Sequence, residues 1–263
     1  IFVAANGVNP FEYYGKVVTG CFNNTIYLRG FIRIVIPLLI TSLGIAVAFK
    51  MKFWNCGAEG QVLVGGLATV SVMMFLGDSL PYPALVAVMI LASVLAGIIW
   101  AVIPAFFKAM WNTNETLFTL MMNYVAIQLV AFFLKYFVKS GSGVLTPMPE
   151  HGLPVIFNQP YLLNIITVAV LTAVVYVYLK KTKHGYEISV VGESQRTASY
   201  VGIKVDKVII RTLLLSGAIC GFTGWMMVSG VDHTITTTLA GGRGFLGIMV
   251  SWLAQFNVIA MIF

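Results

Sequence analysis

Asn55, Glu59 and Gln61 share one short stretch with Gly57 and Gly60 between them, and Asn114, Glu115 and Asn123 form a second group further along. An amide both donates and accepts hydrogen bonds, and a carboxylate accepts several. Glycine at 57 and 60 lets backbone or ligand come close. Each group stands at the start of a long apolar run, where a polar side chain is costly without a partner or a task. The competing reading makes them helix caps: Glu115 falls in a first turn, where the helix dipole favours a carboxylate, and Glu59 is placed similarly. Two helix starts of this kind on one side of a bundle favour residues that line or brace a polar passage.

Other chemistry has little to build on. His151, His184 and His233 lie in loops, each far from a second ligand, so no metal site is expected. Cys21, Cys56 and Cys220 are isolated and read as packing residues rather than a disulfide framework. Neither a G-x-S-x-G elbow nor a G-x-x-x-x-G-K-[ST] phosphate loop occurs. The chain is therefore not expected to be an enzyme or to need a cofactor.

The elements that must position these groups are set by hydropathy. The chain is 59% hydrophobic and 10% charged, with a mean hydropathy of +0.92, whereas soluble domains are about a quarter charged. Runs near 31–49, 60–77, 84–107, 116–138, 161–179, 208–230 and 245–263 meet the requirement of about 20 apolar residues per crossing. They do not alternate as membrane strands would. The expectation is an all-α, polytopic bundle with at least seven visible spans of about ten. Residues 1–263 read as one transmembrane domain cut at both ends, since the chain starts on Ile1 without Met and stops inside an apolar run at Phe263.

The net charge of +7 is explained by its distribution. One side collects Lys50, Lys52, Lys108, Lys180, Lys181, Lys183, Arg196, Lys204, Lys207 and Arg211, and the other Lys16, Arg29, Arg33, Lys135, Lys139 and Arg243. The richer side is cytoplasmic by the positive-inside rule. Basicity here reports topology in a lipid bilayer, not nucleic-acid binding. Residues 4–28, 77–81, 139–160 and 231–243 become external loops, with 139–160 rich in Gly and Pro and expected to lack regular structure.

The cytoplasmic segment 180–207 is too polar to span and contains a short helix candidate over 194–201. Ser194 suits its N-cap and Gly202 its C′ terminator. Ala198, Val201 and Ile203 would leave an apolar patch there, favouring a docking element over a plain connector. A weaker pattern joins the Gly-rich stretches 55–66 and 240–247, which five spans separate. Facing opposite sides of the membrane, they suggest an inverted repeat with Gly-interrupted helices around a central site. Gly217, Gly221 and Gly224 have the spacing for close helix packing.

Several of these residues carry a family resemblance. Asn55 to Gln61 resembles the NIGAEGQ motif of the nucleoside/simple-sugar permeases of bacterial ABC importers, within the branched-chain amino acid/ribose permease group, with Cys56 for Ile. Asn114, Glu115, Thr119, Met121, Asn123 and Tyr124 resemble the NE…T…M.NY stretch. The run from Gly185-Tyr186-Glu187 to Gly202-Ile203 resembles the cytoplasmic coupling segment, and Gly244-Phe245-Leu246-Gly247-Ile248 a GF.GI motif. Ser189, Ser194-Gln195-Arg196 and Ser251-Trp252 depart from the usual pattern.

The resemblance implies a multi-pass subunit of the bacterial cytoplasmic membrane that moves a nucleoside or related small polar solute. Its implied partners are ABC ATPase subunits, a second permease in a heterodimer, and an extracytoplasmic solute-binding protein. Asn55, Glu59, Gln61, Asn114, Glu115 and Asn123 become the expected solute pathway. Gly192, Glu193, Ser194, Thr197, Ala198, Val201, Gly202 and Ile203 become the expected ATPase-coupling surface. The alternative is a secondary transporter or facilitator of a sugar-like solute with no ATPase partner. That alternative wants a carboxylate at mid-membrane depth for ion coupling, and Glu59 and Glu115 both read as helix-start residues instead.

Overall fold

In hydrocarbon a long apolar run must satisfy its backbone polar groups internally, and a helix does so. The computed structural model describes residues 3, 6–7, 9–20, 22, 24–138, 145–154 and 161–262. In chain order its helices are α1 (Pro10–Gly20), α2 (Thr25–Phe49), α3 (Ala58–Leu76), α4 (Tyr82–Trp111), α5 (Glu115–Phe137), α6 (Leu162–Lys181), α7 (Lys183–Glu193), α8 (Gln195–Tyr200), α9 (Val205–Met227) and α10 (Arg243–Leu253). A π-helical turn, Val228–Asp232, extends α9. The expected all-α polytopic fold is borne out.

Six helices among the described residues, α2 to α6 and α9, are long and apolar enough to cross a membrane. The seventh expected span, 245–263, is corrected: it is helical only over Arg243–Leu253. Gln255 and Phe256 take positive φ (49° and 57°), which a helix cannot continue. Aromatic packing accompanies the break, with Phe256 5.9 Å from Phe49 and Trp252 stacked 5.3 Å from Trp54. These contacts put the end of α10 beside the end of α2.

Helices α2, α3 and α9 form the buried centre, while α4, α5 and α6 turn apolar faces outward, including Leu91, Ile99, Phe132, Val170 and Val174. In a bilayer those faces meet lipid. The centre closes on glycine: a Cβ on Gly97, Gly217 or Gly221 would overlap backbone of the facing helix, joining α4 to α9, and one on Gly224 would overlap α3. Small residues allow such contact where no hydrophobic effect drives helices together.

Helix α3 begins inside the bundle. The chain drops to Lys50–Lys52 after α2, turns at Lys52 (φ 59°), and climbs back through residues 53–57. Asn55 then lies against Ser216, eleven residues into α9 from Val205, or about 16 Å along its axis. The far end is similarly irregular. Residues 233–242, expected as external loop, leave the end of α9 and return into the bundle, so that α10 starts against Glu59. Both α3 and α10 therefore start at mid-bundle and run to opposite ends.

Of the cysteines, Cys56 is half-buried and Cys220 buried, both free, and Cys21 lies outside the described residues. In the 139–160 loop, residues 139–144 and 155–160 lie outside the described residues. The rest holds one 3-10 turn, Pro149–His151. It is pinned by Leu153 N–H to Ser229 O (2.8 Å), Met148 N–H to His233 O (2.8 Å) and Thr234 Oγ1 to Leu145 O (2.8 Å).

Candidate functional site: a mid-bundle junction and a cytoplasmic arm

Glu59 is the second residue of α3 and is 8% exposed. Its Oε1 accepts from Gly242 N–H and its Oε2 from Gly244 N–H, each at 2.7 Å. Those amides belong to the start of α10, and Gly242 sits in left-handed backbone (φ 78°) that points its N–H inward. Gly244 lies so close to Glu59 that a Cβ would overlap the Glu59 backbone. The carboxylate thus caps one half-helix from the first turn of another, where both dipoles favour negative charge.

Beneath it, Asn55 and Gln61 exchange two amide hydrogen bonds, Nδ2 to Oε1 at 3.4 Å and Nε2 to Oδ1 at 3.3 Å. Asn55 also donates to Ser216 Oγ (3.2 Å) and accepts from Gly57 N–H (3.1 Å). Asn123 of α5 accepts from Gly60 N–H and donates to Cys56 O, both 2.8 Å, while Thr119 Oγ1 accepts from Cys56 N–H (3.2 Å). The backbone freed by starting a helix inside the bundle is satisfied by side chains of α5. Ser216 carries no signal in the sequence, and Thr119 enters there only through the resemblance and not as a site residue, because a lone hydroxyl in an apolar helix usually bonds its own backbone.

Asn114 caps α5 through Leu117 N–H (3.2 Å), and Glu115 pairs with Lys108 at 2.9 Å across the turn between α4 and α5. Six expected pathway residues therefore fall into two places. Asn55, Glu59, Gln61 and Asn123 converge at mid-bundle. Asn114 and Glu115 sit apart, at the α4–α5 turn.

The basic segment folds into two helices rather than one. Thr182 caps α7 through Gly185 N–H (3.2 Å), and Ser194 caps α8 through Thr197 N–H (3.2 Å). Gly202 ends α8 with φ 82°. Arg211 near the start of α9 donates to Glu187 of α7 (2.7 Å). That hydrogen bond holds the Glu187 carboxyl below its usual range. Gly192 packs on the Lys50 backbone, fixing α7 to the end of α2. One expectation changes: Ala198 is fully buried and is how α8 rests on the bundle, while Tyr200 (90% exposed) and Val201 (67%) point away. Of the remaining expected coupling residues, Glu193 and Thr197 are exposed and Ser194 and Ile203 half-buried.

With this geometry established, comparison with known proteins decides the class. Residues 27–263 match the family described as branched-chain amino acid transport system / permease component. The chain belongs to this family. It is a multi-pass permease subunit of an ABC transporter and not an enzyme, ATP hydrolysis being the work of a separate subunit. Such a permease works with ATPase subunits and with a second permease.

Among its relatives is the glucose ABC transporter permease protein TsgB13 of Haloferax volcanii, 28% identical over 98% of this chain and 72% of the relative. The guanosine ABC transporter permease protein NupP of Bacillus subtilis is 27% identical over 100% of this chain and 77% of the relative. Its namesake in the same organism, the guanosine permease NupQ, is 25% identical over 81% and 70%.

Proposed function

We propose that this permease carries a nucleoside or a closely related hydroxylated solute inward across the bacterial cytoplasmic membrane, driven by ATP hydrolysis on partner subunits. Its second permease is a related but distinct chain, making a heterodimer, and an extracytoplasmic binding protein delivers the solute. The observation that carries this reading is the mid-bundle junction, where the spanning helix α3 and the short helix α10, running in opposite directions, start at one carboxylate. A discontinuous helix pair of this kind is how membrane transporters build a site near the midplane.

In this reading Asn55, Glu59, Gln61 and Asn123 brace the pathway from behind. Asn114 and Glu115 fix the α4–α5 turn from which α5 delivers Asn123. The exposed tip of α8 docks on the ATPase, with Tyr200 and Val201 as its apolar anchors, and α7 relays movement to α9 through Glu187 and Arg211 and to α2 through Gly192.

The test is uptake of radiolabelled guanosine and of radiolabelled glucose by cells expressing the assembled complex. A second strain carries an ATPase subunit whose phosphate-loop Lys is replaced. Guanosine uptake that collapses in the second strain supports the reading. Uptake that persists there makes the chain a secondary transporter or facilitator.

A further inference from the structure

The amide cluster around Asn55 has little left to offer a solute, because its polar atoms bond to one another and to backbone. Uncommitted hydrogen-bonding capacity is found instead on the segment that returns from α9 to α10. Buried Ile235 and Leu239 anchor that segment, Leu239 lying over Gly66 of α3. Between them Thr236 and Thr238 face a cavity of about 330 Å3 that Arg33 and Asp232 also line. The two hydroxyls lie 3.3 Å apart and bond only to each other among the described residues.

Further along the same segment, Arg243 donates to the carbonyls of Leu239 and Ala240 (3.2 and 3.3 Å) through Nη1, which ties the turn before α10 together, and its Nε has no partner among the described residues. The charges lining the cavity are balanced: Arg33 pairs with Asp232. A cavity lined this way is polar without net charge.

We propose that the solute is bound by this re-entrant segment, through the Thr236 and Thr238 hydroxyls. The proposal rests on the transport reading above and locates its contacts. Two side-chain hydroxyls this close match two adjacent hydroxyls of a ligand, since each hydroxyl can donate and accept. The ligand class is a neutral molecule bearing a vicinal diol, such as the ribose of a nucleoside or a pyranose. Arg33 and Asp232 line the same cavity beside the two hydroxyls.

The experiment replaces both hydroxyls without changing shape, as Thr236→Val and Thr238→Val in the assembled complex, and measures uptake of guanosine, 2′-deoxyguanosine and glucose. Apparent KM for guanosine should rise about fivefold per hydroxyl lost, with discrimination against the deoxy solute reduced and the amount of complex unchanged. In parallel, guanosine should slow labelling of a Thr236→Cys variant by an impermeant maleimide. Unaltered KM and discrimination in the double Val variant, or labelling that guanosine does not slow, overturns the proposal. Loss of all ATP-dependent uptake in the wild-type complex instead defeats the transport reading on which it stands.

Discussion

The carboxylate of Glu59 and the backbone of Gly244, 185 residues apart in sequence, meet through a 2.7 Å hydrogen bond that starts one half-helix from the first turn of another. A shared cap of this kind makes the positions of α3 and α10 interdependent. Any movement that separates them must first release two buried N–H groups from a charged acceptor, each such bond worth about 1.5–3 kcal/mol.

Glu59→Gln, which keeps one acceptor oxygen, should cost the complex about 1–2 kcal/mol, and Glu59→Ala, which strands both amides, clearly more. Thermal unfolding of the purified complex in detergent measures this. Equal stability of wild type and Glu59→Ala would remove the carboxylate from the account of how α10 is held.

Asn123→Ala deletes two bonds that tie α5 to the start of α3, and should lower stability by about 2–3 kcal/mol. Gln61→Ala deletes the weaker, longer amide pair and should cost about 1 kcal/mol. Uptake normalised to assembled complex should keep its apparent affinity and selectivity in both. A changed solute selectivity in either variant would return these residues to direct solute contact.

The six continuous spans were readable because each satisfies length and apolarity by itself, and their expected ends fall within a few residues of α2 to α6 and α9. Ser194 and Gly202 were readable for the same local reason, as cap chemistry depends on immediate neighbours. What escaped was everything settled at long range. Residues 231–243 read as an external loop because Thr and Gly carry no span signal. Only the packing of Leu239 on Gly66 and the Glu59 bonds to Gly242 and Gly244 draw them into the bundle. Arg243 was counted among external charges for that reason. Ala198 read as part of an exposed patch because nothing local says which side of a six-residue helix meets the bundle.

The Glu187–Arg211 contact should make the α7–α9 junction acid-sensitive. Because Arg211 lowers the Glu187 carboxyl in the folded protein, its stabilisation is complete above the unfolded carboxylate range and is lost as pH falls through the lowered value. Protection of the α7 backbone amides from hydrogen exchange should fall at acid pH in the wild type. Glu187→Gln should show the weaker protection at neutral pH and little further change. An acid response in Glu187→Gln equal to that of the wild type would assign the effect to another group.

Orientation follows from the charge count. Thr197→Cys, on exposed α8, should resist an impermeant thiol reagent in intact cells of a cysteine-free background, and Glu150→Cys should react. Both residues are exposed in the fold, so in the permease expressed without its ATPase, access to the reagent depends on the side of the membrane. Labelling of the Thr197 site without permeabilisation would invert the topology.

In the proposed mechanism, ATP hydrolysed on a partner moves solute through this chain by way of the α8 tip. This coupling is tested most directly by ATP-driven guanosine uptake into proteoliposomes containing the complex, wild type beside Tyr200→Ala. Tyr200 is 90% exposed, so its truncation costs the fold little packing, yet aromatic anchors of this kind are typical binding hot spots worth about 2 kcal/mol or more. ATP-driven uptake should fall at least tenfold in Tyr200→Ala, with the permease inserted normally and less ATPase co-purifying. Uptake at the wild-type rate, with full ATPase co-purification, would contradict it.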